Sequence, residues 1–137
     1  MQPVLDSLAH GFPWLIFYLL TVTAIYIIGL LIYVKLTPMR ELELVKNGNV
    51  SAAISFSSVI IGLALPLAAC MINKFSLIDA AAWGTLSLFL QLFLFRMTDL
   101  FFGGMGERIA RNDLAPVIVL AAFKLSGSIM LAFAIAG

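Results

Sequence analysis

Apolar residues run almost without interruption over 13–34, 50–72, 77–95 and 114–137, and polar residues collect in the stretches between them. A helix packed on a water-soluble core carries a polar face, and none of these runs has one of useful width. A bilayer's hydrocarbon layer is about 30 Å thick, so a helix needs roughly 20 apolar residues to cross it. The pattern therefore predicts an all-α, polytopic membrane protein with four transmembrane helices at those positions.

The polar stretches predict shorter elements. In 35–49, Thr37 can cap a helix and Pro38 suits its first turn, where an N–H needs no partner. Glu41 and Lys46 match the electrostatics of the two helix ends, and Asn47-Gly48 supplies a stop that tolerates positive φ. Met39, Leu42 and Val45 give this short helix an apolar stripe suited to a membrane interface. In 96–113, the run Gly103-Gly104-Met105-Gly106 reads as a loop before a second short helical run at 107–112. Those glycines lack the lysine and hydroxyl of a phosphate-binding loop. Pro66, four residues after Gly62, predicts a kink in the second span, because its ring crowds the carbonyl at 62.

Composition agrees with the hydrophobic pattern. Hydrophobic residues make up 63% of the chain and charged residues 11%, against about 45–50% and about 25% in soluble domains. At 137 residues this is one membrane domain, 1–137. A net charge of +1 gives no nucleic-acid surface, so no nucleic acid is expected as a partner. The first span is too long for a signal-peptide core and is read as retained. One cysteine, Cys70, excludes an internal disulfide.

The placement of charge changes the picture more than its sum. Lys35, Arg40, Lys46, Arg96, Arg108 and Arg111 lie in or beside the first and third connections, whereas Lys74 stands alone in the second. Short connections rich in Lys and Arg stay in the cytoplasm. The expected topology is multi-pass, with the N-terminus and C-terminus outside. Trp14 and Trp83 near the outer ends, and Tyr33 near an inner end, suit interfacial belts.

The chain reads as a duplication. A shift of 64 residues lays Glu43 on Glu107, Val45 on Ile109, Asn49 on Asp113 and Ile54 on Ile118. Residues 1–76 and 77–137 would be two parallel two-helix repeats, related by an axis along the membrane normal.

Candidate chemistry is sparse. Lys124 is the one ionisable residue deep in a span, roughly 15 Å in at about 1.5 Å per residue. A lysine there costs roughly 2.5–3.5 kcal/mol on insertion scales, so it needs polar company. Gln91 and Ser57, with Ser55 and Ser58, are the candidates, and they form an intramembrane polar site on paper. A rim set of Arg40, Glu41, Glu43, Lys46, Asn49, Glu107, Arg108, Arg111 and Asp113 suits ion pairs, lipid-head contacts or docking of a protein. No catalytic set and no metal-ligand spacing is visible with one histidine, His10, and one cysteine. No cofactor is expected.

The run Thr37-Pro38, Glu41, Leu44, Lys46-Asn47, Asn49, Ala52, Phe56-Ser57, Gly62, Pro66-Leu67, Asn73, Asp79, Ala82-Trp83-Gly84 and Gln91-Leu92 resembles the YjfL-like family. These are small bacterial inner-membrane proteins built from a tandem two-span domain of unknown function. The resemblance covers about 37–95 and fades after it; Lys124 and the glycine cluster at 103–106 are departures. It implies the bacterial inner membrane, four helices and outward termini, and it supplies no activity. Family genes tend to lie near those of phage-shock-like membrane-associated proteins and ATP-grasp ligases, which implies an envelope-stress partner.

The expected function is a non-enzymatic scaffold for a cytoplasmic or membrane-associated envelope protein. The alternative is a small oligomeric channel or transporter. Expected partners are the lipid bilayer, further copies of the chain in a homo-oligomer, and a cytoplasmic membrane-associated protein. The oligomer is expected because Lys124 and the small residues of the second span need more packing surface than one chain gives.

Overall fold

The computed structural model describes residues 1–36, 41–72 and 76–137, and at Met105 the backbone alone. Among the described residues there are six helices and no strand. They are α1 (Gln2–Leu36), α2 (Glu41–Lys46), α3 (Val50–Ile72), α4 (Leu77–Phe101), α5 (Met105–Ala110) and α6 (Leu114–Ala136). Helices α1, α3, α4 and α6 are long and apolar enough to cross a membrane. The expectations placed on Thr37, Pro38, Met39, Arg40, Asn73 and Lys74 lie outside the described residues.

Two helices run past their apolar stretches. The first span, expected at 13–34, lies inside the longer α1, which carries Pro13 in its interior. Its N-terminal turns are exposed and carry Val4, Leu5, Leu8 and Phe12. The third span, expected at 77–95, continues as helix to Phe101. Polarity ends the apolar run at Arg96, but nothing there breaks a helix, and the chain leaves helical geometry only near Gly103-Gly104. Ser76 caps the other end of α4, accepting from the Asp79 backbone N–H at 3.2 Å. Helix α3 runs unbroken through Pro66 to Ile72.

Short helices α2 and α5 end in the same way. Gly48 has φ +86°, its N–H donates to the Val45 carbonyl at 3.0 Å, and the Asn49 N–H donates to the Leu44 carbonyl at 2.9 Å. Asn112 has φ +59°, donates to Ile109 at 3.0 Å, and is followed by Asp113 donating to Arg108 at 2.9 Å. Both are Schellman closures, which need a residue that accepts the left-handed region. Each atom pair in one closure lies 64 residues from its counterpart, and the bounds of α2 and α5, and of α3 and α6, share that offset.

Helix α3 is the axis of the bundle. It packs most extensively on α6 and also meets α1, α2, α4 and α5. Gly62 makes the α3–α6 approach possible: a Cβ there would lie 2.6 Å from Ser128 Oγ and 2.8 Å from Phe95 Cζ. One apolar cluster joins Tyr33, Val59, Leu63, Leu88, Leu92 and Phe95 across α1, α3 and α4. A second, Ala52, Ile109, Val117 and Leu120, seats α5 on α3 and α6, with Leu44 and Val45 of α2 against it. The small residues of α3 divide between two faces. Ala52, Gly62 and Ala69 are inside, whereas Ala64, Ala68 and Ser57 face out.

Candidate functional site

Beneath α2 the bundle holds a set of polar side chains drawn from five of the six helices. Lys124 on α6 is 2% exposed, and its Nζ lies 2.9 Å from Asp99 Oδ1 on α4. Lys side chains on a helix lean toward the helix N-terminus. The ammonium of Lys124 therefore sits toward the α2/α5 rim, at the level of the last turn of α4, rather than at mid-bilayer. The same ammonium lies over two ring faces, 5.6 Å from the centroid of Tyr33 and 5.7 Å from that of Phe95.

Glu41, the first residue of α2, is 5% exposed. Its carboxylate accepts from the Tyr33 hydroxyl at 3.2 and 3.4 Å and from the Ser55 hydroxyl at 3.2 Å. Burial pushes the Glu41 carboxyl above the usual carboxylate range. Lys124 and the two hydroxyls act against that rise, and Asp99 adds to it. One turn deeper on α6, Gln91 Nε2 donates to Ser128 Oγ at 2.6 Å, and Ser128 in turn donates to the Lys124 carbonyl at 3.0 Å. Gln91 Oε1 is buried with no partner among the described residues. A cavity of about 20 Å³, room for roughly one water, opens beside Asp99 and is lined by Tyr33, Leu36, Leu92, Phe95 and Arg96.

The structure thus brings Lys124 and Gln91 into one polar column but rearranges the rest. Ser57 points outward, and Ser55 and Ser58 are the buried serines of α3; Ser58 donates to its own helix at the Ser55 carbonyl. Glu41 leaves the exposed rim and joins the buried cluster, because its carboxylate finds two hydroxyl donors and a lysine inside. Tyr33 is likewise 4% exposed rather than part of an interfacial belt. Asn49 is a structural residue. Its Oδ1 accepts from Ala52 N at 2.9 Å, and its Nδ2 donates to the Ile109 carbonyl at 2.8 Å. Asn112 Oδ1 reciprocates by accepting from Ser51 N at 3.0 Å, so each connection is tied to the other half. Glu43, Lys46, Glu107, Arg108, Arg111 and Asp113 remain exposed on the rim. Gly62 and Pro66 are both buried in α3, where Gly62 serves helix contact.

Asp99 carries no site signal of its own in the sequence, because it follows Arg96 in a polar stretch that reads as a connection. The signal lies in the spacing: Gln91, Phe95 and Asp99 recur at four-residue spacing, which is one helix face, and Lys124 and Ser128 repeat that spacing on α6. Asp99 also removes one ground for an oligomer, since Lys124 is paired within its own chain. Among the described residues no group of three or more His, Cys, Asp or Glu could hold a metal ion.

Residues 7–135 match the family described as Domain of Unknown Function (DUF350). The UPF0719 inner membrane protein YjfL of Escherichia coli strain K12 is 36% identical over 106 residues, which is 77% of this chain and 80% of that protein. The protein of the same name from Escherichia coli O157:H7 gives the same values. No solved structure matches.

Proposed function

We propose, for a chain that belongs to the family Domain of Unknown Function (DUF350), a role as a non-enzymatic multi-pass protein of the bacterial inner membrane whose α2/α5 rim docks an envelope-associated partner on the cytoplasmic side. The inner membrane follows from four membrane-length helices together with the similarity to an inner membrane protein. The cytoplasmic side for α2 and α5 follows from Lys35, Lys46, Arg96, Arg108 and Arg111 at that end. Single cysteines at Asn47 and Asn112 should resist an impermeant thiol reagent in whole cells, and one at Ser76 should react. The reverse pattern overturns this orientation.

One observation carries the docking reading. Both short helices are seated on the bundle around one apolar cluster and by the Asn49 and Asn112 cross-ties, while Glu43, Lys46, Glu107, Arg108 and Arg111 stay exposed on or beside them. A rigid element with charges of both signs on its free face suits electrostatic selection of a partner. Replacing Lys46, Arg108 and Arg111 together with Gln should leave insertion and thermal stability unchanged, since such exposed charges contribute about 0–1 kcal/mol each. It should weaken recovery of cytoplasmic partners from native membranes and make what remains insensitive to salt. Equal recovery with equal salt dependence counts against docking.

The buried charges of Glu41, Asp99 and Lys124 favour a second reading, an ion or proton path, because ionisable groups within a membrane bundle mark such paths. Against it, the described cavity beside Asp99 holds about 20 Å³, so several copies would have to line any pore. Purified protein in a planar bilayer decides this: conductance that changes with Lys124→Met would favour the channel.

A further inference from the structure

The buried cluster under α2 has an odd number of charges. Among the described residues Lys124 is its one cation, and Glu41 and Asp99 are two acids that interact with it. With all three ionised, a surplus negative charge sits in a largely buried site, where an unpaired charge is costly. Asp99 holds Lys124 at 2.9 Å and has partial access to water, its side chain being 27% exposed. Glu41 is the more enclosed acid, and its neighbours toward the core are the hydroxyls of Tyr33 and Ser55. A neutral carboxyl is the cheaper occupant of that seat.

We propose that Glu41 is a proton-binding site whose occupancy holds helix α2 on the bundle. Glu41 opens a six-residue helix, so its seat and that of α2 are one thing. Among the described residues, the groups that face it come from four other helices. From α1 it faces Tyr33, from α3 Ser55, from α4 Asp99, and from α6 Lys124. Arg96 lines the small cavity next to Asp99 and gives that side an exposed cation. On α2 itself Glu43 and Lys46 are exposed to solvent. Proton loss leaves the cluster with its surplus charge, and the carboxylate is then drawn to water. The packing of Leu44 and Val45 against the second apolar cluster opposes its departure. Burial raises the Glu41 carboxyl above its ordinary range, which agrees in direction. This device does not depend on what, if anything, docks on the rim.

The test uses the full chain in nanodiscs with Cys70 replaced by Ala. Infrared spectra across a pH series should show a protonated carboxyl that titrates above the usual carboxylate range, about 4.3 for Glu, and that vanishes in Glu41→Gln. Charge counting then fixes two further signs. Asp99→Asn leaves Glu41 as the only counter-charge of Lys124, so the titration should move to lower pH. Lys124→Met removes the cation paired with these acids, so it should move to higher pH. Movement of α2 is read from the labelling rate of Val45→Cys divided by that of the exposed Asn47→Cys, which cancels the pH dependence of thiol chemistry. The ratio should rise several-fold through the Glu41 titration and stay flat in Glu41→Gln. A Glu41 that titrates in the ordinary range and ignores Asp99→Asn overturns proton binding, and a flat labelling ratio in the unmodified cluster overturns the latch. Circular dichroism of each variant separates these results from misfolding.

Discussion

The two halves of the chain share a backbone plan but not an interior. Helices α2 and α5 close with the same pair of hydrogen bonds, and the helices after them begin and end 64 residues apart. The polar side chains ignore that symmetry. Lys124 corresponds to Ile60, Asp99 to Lys35, Gln91 to Ile27, and Gly62 to Ser126. In the second half α4 and α6 carry their own ion pair. The first half contributes the acid of its short helix and two hydroxyls to the same cluster. Backbone closure of this kind needs only glycine or asparagine at one position and the right length. Each buried charge needs a matched partner, and that is where the halves differ. Chemistry specific to this protein should therefore be sought at the unmatched positions.

Matched substitutions at paired positions test this difference between the halves. The largest difference is expected at Gly62 and Ser126. Gly62→Leu drives a side chain into Ser128 and Phe95 and should abolish the folded bundle, whereas Ser126, exposed on α6, should accept Leu within about 0.5 kcal/mol. Detergent unfolding curves of the two variants check this. Next come Asp99 and Lys35. Asp99→Asn leaves Lys124 without its nearest partner and should cost about 3–5 kcal/mol, with the remaining Glu41 keeping the loss toward the lower end. Lys35→Gln, at an exposed site, should cost no more than about 1 kcal/mol. The caps should differ less. Asn49→Ala removes a cap and a cross-tie and should cost about 1–2 kcal/mol, while Asp113, which makes no side-chain cap bond, should be replaceable by Ala within about 0.5 kcal/mol.

The smallest effect is the pH dependence of stability. The Glu41 carboxyl is raised in the folded state, so between its unfolded and folded values the folded chain binds more protons than the unfolded one. Stability is then full below the unfolded value and falls as pH rises through the folded value. Glu41→Gln should flatten that slope, as measured by unfolding at several pH values.

Hydrophobic length made the membrane spans legible. The second span matches α3 at both ends and the fourth matches α6 to within a residue. Helix ends at 2 and 101 were not legible, because polarity marks where a helix leaves lipid, whereas only a residue such as Gly104, with φ +77°, marks where it stops. The stop at Gly48 was readable for the same local reason. The site was half legible. Lys124 stood out by its depth and Gln91 by its opposing helix, but Ser57 was chosen over Ser55, since serines two residues apart lie on opposite faces and the packed face was unknown. Glu41 and Asp99 read as solvent-bound because burial of an acid depends on partners from other helices, Tyr33, Ser55 and Lys124. No local pattern reports that.

The central claim is that the polar interior is held by a pair within one chain, Asp99 with Lys124. A double-mutant cycle tests it most directly, with unfolding measured in nanodiscs loaded with single copies of wild type, Asp99→Asn, Lys124→Met and the double variant. Strong coupling is expected: the double variant should cost at least about 2 kcal/mol less than the sum of the singles. Strictly additive costs would contradict it.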